Sequence, residues 1–260
     1  MRFLASNTCA NQLLSTLPLL ERERLLPGLE HVEFALGDVV YESSSRLEYA
    51  YFPTGAVVSM LYTMEDGATA EVGRCGSDGV VGVSLFLGGD TTPNRAVVQI
   101  AGGAVRMRAR TLQAEFARGG ALQHLLLRYT QSLITQVAQA AACNRLHSVE
   151  KRLCRFLLLS HDCVKSDELF MTQELIASVL GGRRESVTVA AAHLQDAGLI
   201  RYSRGRIHIL DRAGLERAAC ECYRVVRAET DRLLAVRVPN TYSSGGLLSQ
   251  RPLEARVRAD

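Results

Sequence analysis

From Ala121 to Leu158 the chain holds neither Gly nor Pro, whereas residues 31–108 are cut by one turn signal after another. A long run without either breaker, carrying apolar residues three and four positions apart, has only one regular solution, an α-helix. The apolar positions are Leu122, Leu126, Tyr129, Leu133, Val137 and Ala140, with spacings of 4, 3, 4, 4 and 3. One helix over roughly the first 27 residues spans about 40 Å. A small domain offers little surface to cover so long a helix. These six positions are therefore expected to form a homodimer seam, with packing on the helix's own domain as the alternative.

Upstream of that helix the period differs. Residues 11–30 carry leucines at helical spacing and stop at Pro27-Gly28. From His31 short β-like runs alternate with turns at Gly37-Asp38, Ser43–Ser45, Pro53-Thr54-Gly55, Asp66-Gly67, Asp78-Gly79, Gly88-Gly89-Asp90 and Gly102-Gly103. Asp66-Gly67 between "VVSMLYTM" and "ATAEVG" is a strong hairpin signal. Short strands without intervening helices predict an antiparallel β-roll over residues 31–108. The expected class is α+β. The expected layout is an N-terminal helix and jelly-roll-like β-roll (1–110), a long dimerisation helix (111–147), a C-terminal domain (148–233) and a flexible tail (234–260).

Composition bounds the function. The chain has 260 residues, 47% hydrophobic and 22% charged, with a formal net charge of +3. A charge that small makes any nucleic-acid affinity the work of a local patch. No apolar run approaches the length of a membrane span, and the first twenty residues lack a signal-peptide pattern. A cytoplasmic protein without membrane contact is expected. The seven cysteines (Cys9, Cys75, Cys143, Cys154, Cys163, Cys220 and Cys222) are odd in number and scattered. They suit reduced thiols better than a disulfide framework. Cys220-Glu221-Cys222 is the closest pair, and on a helix that spacing turns the thiols about 200° apart. No metal site and no cofactor is expected. No triad, phosphate loop or metal motif supports an enzyme.

The chemistry concentrates in "MTQELIASVLGGRRESVTVAAAHLQDAGLIRYSRGRIHIL". Thr172 suits the N-cap of a helix through Leu180, and Gly181-Gly182 stops it. A second helix starts near Arg183 and turns Val187, Ala190, Ala191 and Leu194 inward. "LIRYSRGRIHIL" then reads as two strands around Arg204-Gly205. Helix, tight turn, helix and hairpin is the order of a winged helix-turn-helix. Arg183, Arg184, Glu185, Ser186 and Thr188 occupy the end of the second helix that would enter the DNA major groove. Arginine can bond guanine in two places and glutamate can accept from cytosine. Arg201, Arg204 and Arg206 suit phosphate contacts. Residues 171–217 hold seven arginines, no lysine and five acidic residues, a local excess of +2.

At these residues the chain resembles the Crp/Fnr family of bacterial transcription regulators, and the resemblance covers nearly the whole chain to about residue 233. The family pattern Arg-Glu-Ser/Thr-Val falls on Arg184, Glu185, Ser186 and Val187. The resemblance implies groove contacts from Arg184, Glu185 and the Thr188-Val189 pair, and a first helix that approaches phosphates at Thr172 and Gln173. Many members carry Arg where this chain has Val189, which implies a different half-site. It also implies a cytoplasmic homodimer on a roughly palindromic double-stranded operator, with RNA polymerase as a further partner. The N-terminal roll would be similar to a cyclic-nucleotide-binding domain, with an effector pocket at Gly82, Val83, Asn94 and Arg95. The family's Gly-Glu falls there on Gly82-Val83, and valine cannot accept a ribose hydrogen bond. A regulator with an unknown signal is therefore expected. Two alternatives are a signal-binding module whose winged domain contacts proteins, and a cyclic-nucleotide-responsive effector. The ligand set of the oxygen-sensing branch is absent, since only Cys9 lies near the N-terminus.

Overall fold

The computed structural model describes residues 10–164 and 166–234. Cys9 and, beyond Leu234, the expected tail fall outside the described residues. The segment expected as one helix over 11–30 divides into α1 (Gln12–Thr16) and α2 (Leu19–Leu25). The break falls at Pro18, whose ring removes a donor and ends the first helix.

Seven strands make the roll: β1 (Leu29–Phe34), β2 (Val39–Tyr41), β3 (Tyr49–Pro53), β4 (Val57–Thr63), β5 (Thr69–Cys75), β6 (Arg95–Ile100) and β7 (Gly102–Arg108). They form two sheets, β2-β6-β4-β5 and β1-β7-β3, with antiparallel pairing throughout. Asp66-Gly67 does turn the β4–β5 hairpin, with the Gly67 N–H donating to the Met64 carbonyl at 2.9 Å. Alternating positions such as Ala50, Phe52, Val58, Ala96, Val98, Val105 and Met107 fill the space between the sheets.

After α3 (Ala109–Ala117) comes the long helix α4 (Ala121–Leu146). Gly120 cannot cap it. The Glu21 carboxylate does so from α2, accepting from the N–H groups of Ala121 (3.1 Å) and Leu122 (3.0 Å). An anion at a helix N-terminus satisfies orphan donors and complements the dipole. Leu122, Leu125, Leu126 and Tyr129 then enter the roll's own core. Further along, the final helix α9 (Cys222–Leu234) lies against α4, where Ser132 and Thr230 share a 2.8 Å hydrogen bond.

The expected dimer seam is thereby corrected. Leu122, Leu126, Tyr129 and Ala140 are buried within this chain, and Leu133 packs partly on the same core. Of the six only Val137 faces solvent. The 4-3 spacing reports the stripe that covers the roll and α9. A different stripe of α4 remains exposed: Leu127 (46%), Ile134 (63%) and Val137 (37%), continued by Ala138 and Ala141.

Beyond His147 the chain forms α5 (Val149–Cys163), β8 (Glu168–Phe170), α6 (Gln173–Leu180), α7 (Arg184–Asp196), β9 (Ile200–Ser203), β10 (Arg206–Ile209), α8 (Arg212–Ala218) and α9. Ser148 caps α5 by accepting from the Lys151 N–H at 3.4 Å. Arg74 of β5 joins this unit to the roll. Its guanidinium lies over Phe156, donates to Ser160 Oγ at 2.8 Å and pairs with Glu71 at 2.7 Å. Thr69 and Ser178 bond side chain to side chain across the same junction.

Cys220 and Cys222 also differ from expectation. Cys220 precedes α9 and Cys222 opens it, so the 200° offset of a continuous helix does not apply. The two thiols turn toward the same neighbours, Cys143 of α4 and His147 just past its end.

Candidate nucleic-acid interface

Helix α6 starts because Thr172 accepts from the Leu175 N–H at 3.1 Å. It stops at Gly181, which takes a left-handed conformation (φ 57°) that costs a residue with a Cβ about 1–2 kcal/mol. The N–H of Gly182 then returns to the Ala177 carbonyl at 3.0 Å, closing the helix end. Two residues later α7 begins. Its inner face, Val187, Ala190, Ala191 and Leu194, is buried against Leu157, Ile176, Leu180 and Ile200 in a second core separate from the roll's.

With that face buried, the opposite one is fixed in space. Arg183, Arg184, Glu185, Ser186 and Thr188 are all exposed in the first turn and a half of α7. Val189 is 55% exposed beside them. Arg183 and Arg184 make no ion pair among the described residues. Two cations at a helix N-terminus oppose the macrodipole, an arrangement that an external anion would relieve. Glu185 there is favourably placed on its own. Thr188 donates from Oγ1 both to Gln173 Oε1 and to the Arg184 carbonyl, each at 3.0 Å. The two helices of the motif are thus tied by the residues expected to meet DNA.

The wing is a two-residue hairpin. Arg204 (φ 51°) and Gly205 (φ 78°) both take positive φ, as the tight turn between twisted strands requires. Arg201 and Arg204 stay exposed and make no ion pair among the described residues. Arg206 is engaged: it pairs with Glu168 at 3.3 Å and stacks over Phe170 at 5.0 Å. Those partners come from β8, a third wing strand on β10. Three residues are too short to show a period, so no pattern in the sequence announces this strand.

The expected effector residues lie apart from this unit. Gly82 precedes a short 3₁₀ turn that contains Val83. Asn94 accepts from Tyr41 Oη at 2.6 Å and donates to Thr92 at 2.8 Å. Arg95 pairs with Glu42 at 3.4 Å. Asn94 and Arg95 thus hold the β2–β6 edge together. A cleft of 360 Å³ opens elsewhere, among Arg74, Asp78, Asp162, Cys163 and Arg227. Its charges are largely matched, with Arg227 on Asp162 at 2.8 Å. Burial raises the Asp78 carboxyl above its usual range there, reinforced by the charge of Asp162. Among the described residues no helix is long and apolar enough to cross a membrane.

Residues 151–218 match the Crp-like helix-turn-helix domain. Solved structures of similar fold include FixK2 from Bradyrhizobium japonicum, with 16% identity over 74% of this chain and 98% of that one (TM-score 0.64). A transcriptional regulator of the CRP family from Thermus thermophilus is 22% identical over 72% of this chain and 96% of its own (TM-score 0.62). The c-di-GMP-responsive regulator CLP of Xanthomonas campestris is 17% identical over 75% of this chain and all of its own (TM-score 0.59). No curated protein matches the sequence. Residues 151–218 thus form a Crp-like helix-turn-helix domain, and the chain as a whole, with its roll and long helix, has the fold of these solved structures.

Proposed function

We propose that the protein is a cytoplasmic, homodimeric transcription regulator that reads a roughly palindromic double-stranded operator. The observation that carries this reading is the first turn and a half of α7. There Arg183, Arg184, Glu185, Ser186 and Thr188 stand exposed on a helix whose other face is locked in a core. Arg184 and Glu185 reach base edges, while Arg201 and Arg204 meet phosphates on the wing. Thr172 and Gln173 approach the backbone from the first helix. The exposed stripe Leu127, Ile134 and Val137 supports pairing of α4 with its copy, since apolar residues seven apart on one face suit a two-helix seam.

The roll serves as a sensor whose signal is other than a cyclic nucleotide. Asn94 is bonded to Tyr41 and Thr92, Arg95 pairs with Glu42, and the side chain of Val83 offers no acceptor to a ribose. The deciding experiment selects bound sequences from a random duplex pool and measures affinity for the winner across a salt series. A palindromic consensus with a steep salt dependence supports the reading. Enrichment of no sequence, with protein partners captured through α7 instead, would count against it.

A further inference from the structure

Cys143 lies in the last turn of α4, and His147 is the residue that caps its end, with its N–H donating to the Cys143 carbonyl at 3.0 Å. Cys220 and Cys222 reach them from the start of α9. The four ligand atoms, three Sγ and one ring nitrogen, all lie within 4.8 Å of one another. Cys143 Sγ is 3.5 Å from Cys220 Sγ, and Cys222 Sγ is 3.5 Å from His147 Nδ1. A disulfide needs about 2.05 Å, so the sulfurs are close without being bonded. A tetrahedral ion with Zn–S bonds of 2.3 Å spaces its ligands about 3.8 Å apart, which these contacts approach. The three cysteines are 0, 3 and 1% exposed and form a cluster distinct from both hydrophobic cores.

The surroundings suit a metal more than three neutral thiols. His147 Nδ1 faces the sulfurs, and Nε2 stands 3.4 Å from the Glu221 carboxylate. A carboxylate on the far nitrogen of a ligating histidine fixes its tautomer and raises its basicity. Gln139 donates from Nε2 to Cys222 Sγ at 3.2 Å, as amides do around metal thiolates. Arg152 and Arg155 are 8 and 9% exposed, each with an Nε lacking a hydrogen-bond partner. Neither makes an ion pair with a carboxylate among the described residues, and both lie within electrostatic reach of Cys143. Two buried cations without acidic partners call for a buried anion.

We propose that Cys143, His147, Cys220 and Cys222 form a closed Cys3His site for Zn2+ that fastens the end of the long helix to the start of α9. On binding, the three thiols release their protons to solvent, and three thiolates with one Zn2+ leave a net charge of −1 beside the two arginines. With four protein ligands no position stays open for water, so the site is structural. It sits at the joint from which the DNA-binding unit leaves α4, next to His147-Ser148. A four-iron cluster would place each thiolate on a separate iron and hold the sulfurs wider than these contacts allow.

The full-length protein, purified under reducing conditions, should contain about one Zn2+ per chain by elemental analysis. Replacement by Co2+ should give the thiolate charge-transfer and strong d–d bands of a tetrahedral site. Cys143→Ser and Cys222→Ser should each reduce retained metal to less than about a tenth. Cys163→Ala, outside the cluster, should retain it. His147→Cys supplies four thiolates and should keep the metal with shifted Co2+ bands, which guards against a variant that merely fails to fold. The proposal is overturned if the reduced protein binds neither Zn2+ nor Co2+. It is equally overturned if metal persists in Cys143→Ser, or if the protein yields only a Cys143–Cys220 disulfide or an iron–sulfur chromophore. Metal content is read without DNA, so it stands or falls separately from operator binding.

Discussion

The hydroxyl of Thr188 on α7 donates to Gln173 Oε1 on α6 at 3.0 Å. This bond spans the turn of the helix-turn-helix and uses only the acceptor of the Gln173 amide, whose nitrogen keeps its capacity to donate. Gln173→Glu preserves the acceptor for Thr188 but sets a negative charge against the DNA backbone. It should weaken binding to every sequence by about 1.5–3 kcal/mol, the usual worth of a hydrogen bond to a charged group. A fluorescence titration on the selected operator and on unrelated DNA checks it, and a loss confined to one base position would refute a phosphate role.

The arginines should divide by location. Arg184→Ala should cost roughly 1–3 kcal/mol and relax preference at one or two operator positions. Arg204→Ala should weaken all sequences alike and make the salt slope shallower by about one unit. Arg206→Ala should do less, because Glu168 and Phe170 already hold that side chain. Operator point variants in a salt titration measure all three. An altered base preference in Arg204→Ala would show that helix and wing had been assigned the wrong way round.

Two faces of α4 should respond differently to charge. Leu127→Glu with Ile134→Glu should leave a folded monomer whose operator affinity falls sharply, as read by sedimentation and gel shift. Leu126 is fully buried in the roll, and Leu126→Ala should instead lower stability by about 2–5 kcal/mol. A dimer that survives the double substitution would place the interface elsewhere.

Arg74 should matter for stability rather than for DNA. It is 6% exposed and serves Glu71, Ser160 and Phe156 at once. Arg74→Met leaves Glu71 buried without its cation and should cost about 3–5 kcal/mol. Adding Glu71→Gln should recover part of that loss in denaturant unfolding. Full additivity of the two would mean that the pair is not coupled.

Asp78 gives a pH signature. Its carboxyl is raised in the folded protein, chiefly by burial. The protonated form is therefore the better folded one. Its contribution is complete below the unfolded value of about 3.9 and is lost as pH rises through the folded value. Asp78→Asn should flatten the fall in stability over that window and raise stability at neutral pH. An unchanged profile from pH 4 to 7 would remove Asp78 as its source.

Much of the architecture was legible because it rests on short-range rules. Thr172, Gly181-Gly182, Asp66-Gly67 and Arg204-Gly205 act within four residues, through a cap, a stop or a turn. The exposed end of α7 followed from the apolar face at Val187, Ala190, Ala191 and Leu194, since a helix that buries one side must present the other. The Pro18 break escaped notice because leucines at helical spacing flank it on both sides.

Periodicity and turn signals by themselves determined that α4 is a helix with an apolar stripe, that a roll precedes it and that a helix-turn-helix follows. Only the tertiary structure decided what each stripe meets. Leu122 and Leu126 turned to the chain's own roll, because removing them from water there needs no second molecule. β8 gained its identity only by pairing with β10. Cys143 and Cys220 stand 77 positions apart, and no local pattern announces their meeting. The return of α9 along α4 brings them together, and packing of distant segments is what a linear pattern of residues does not encode.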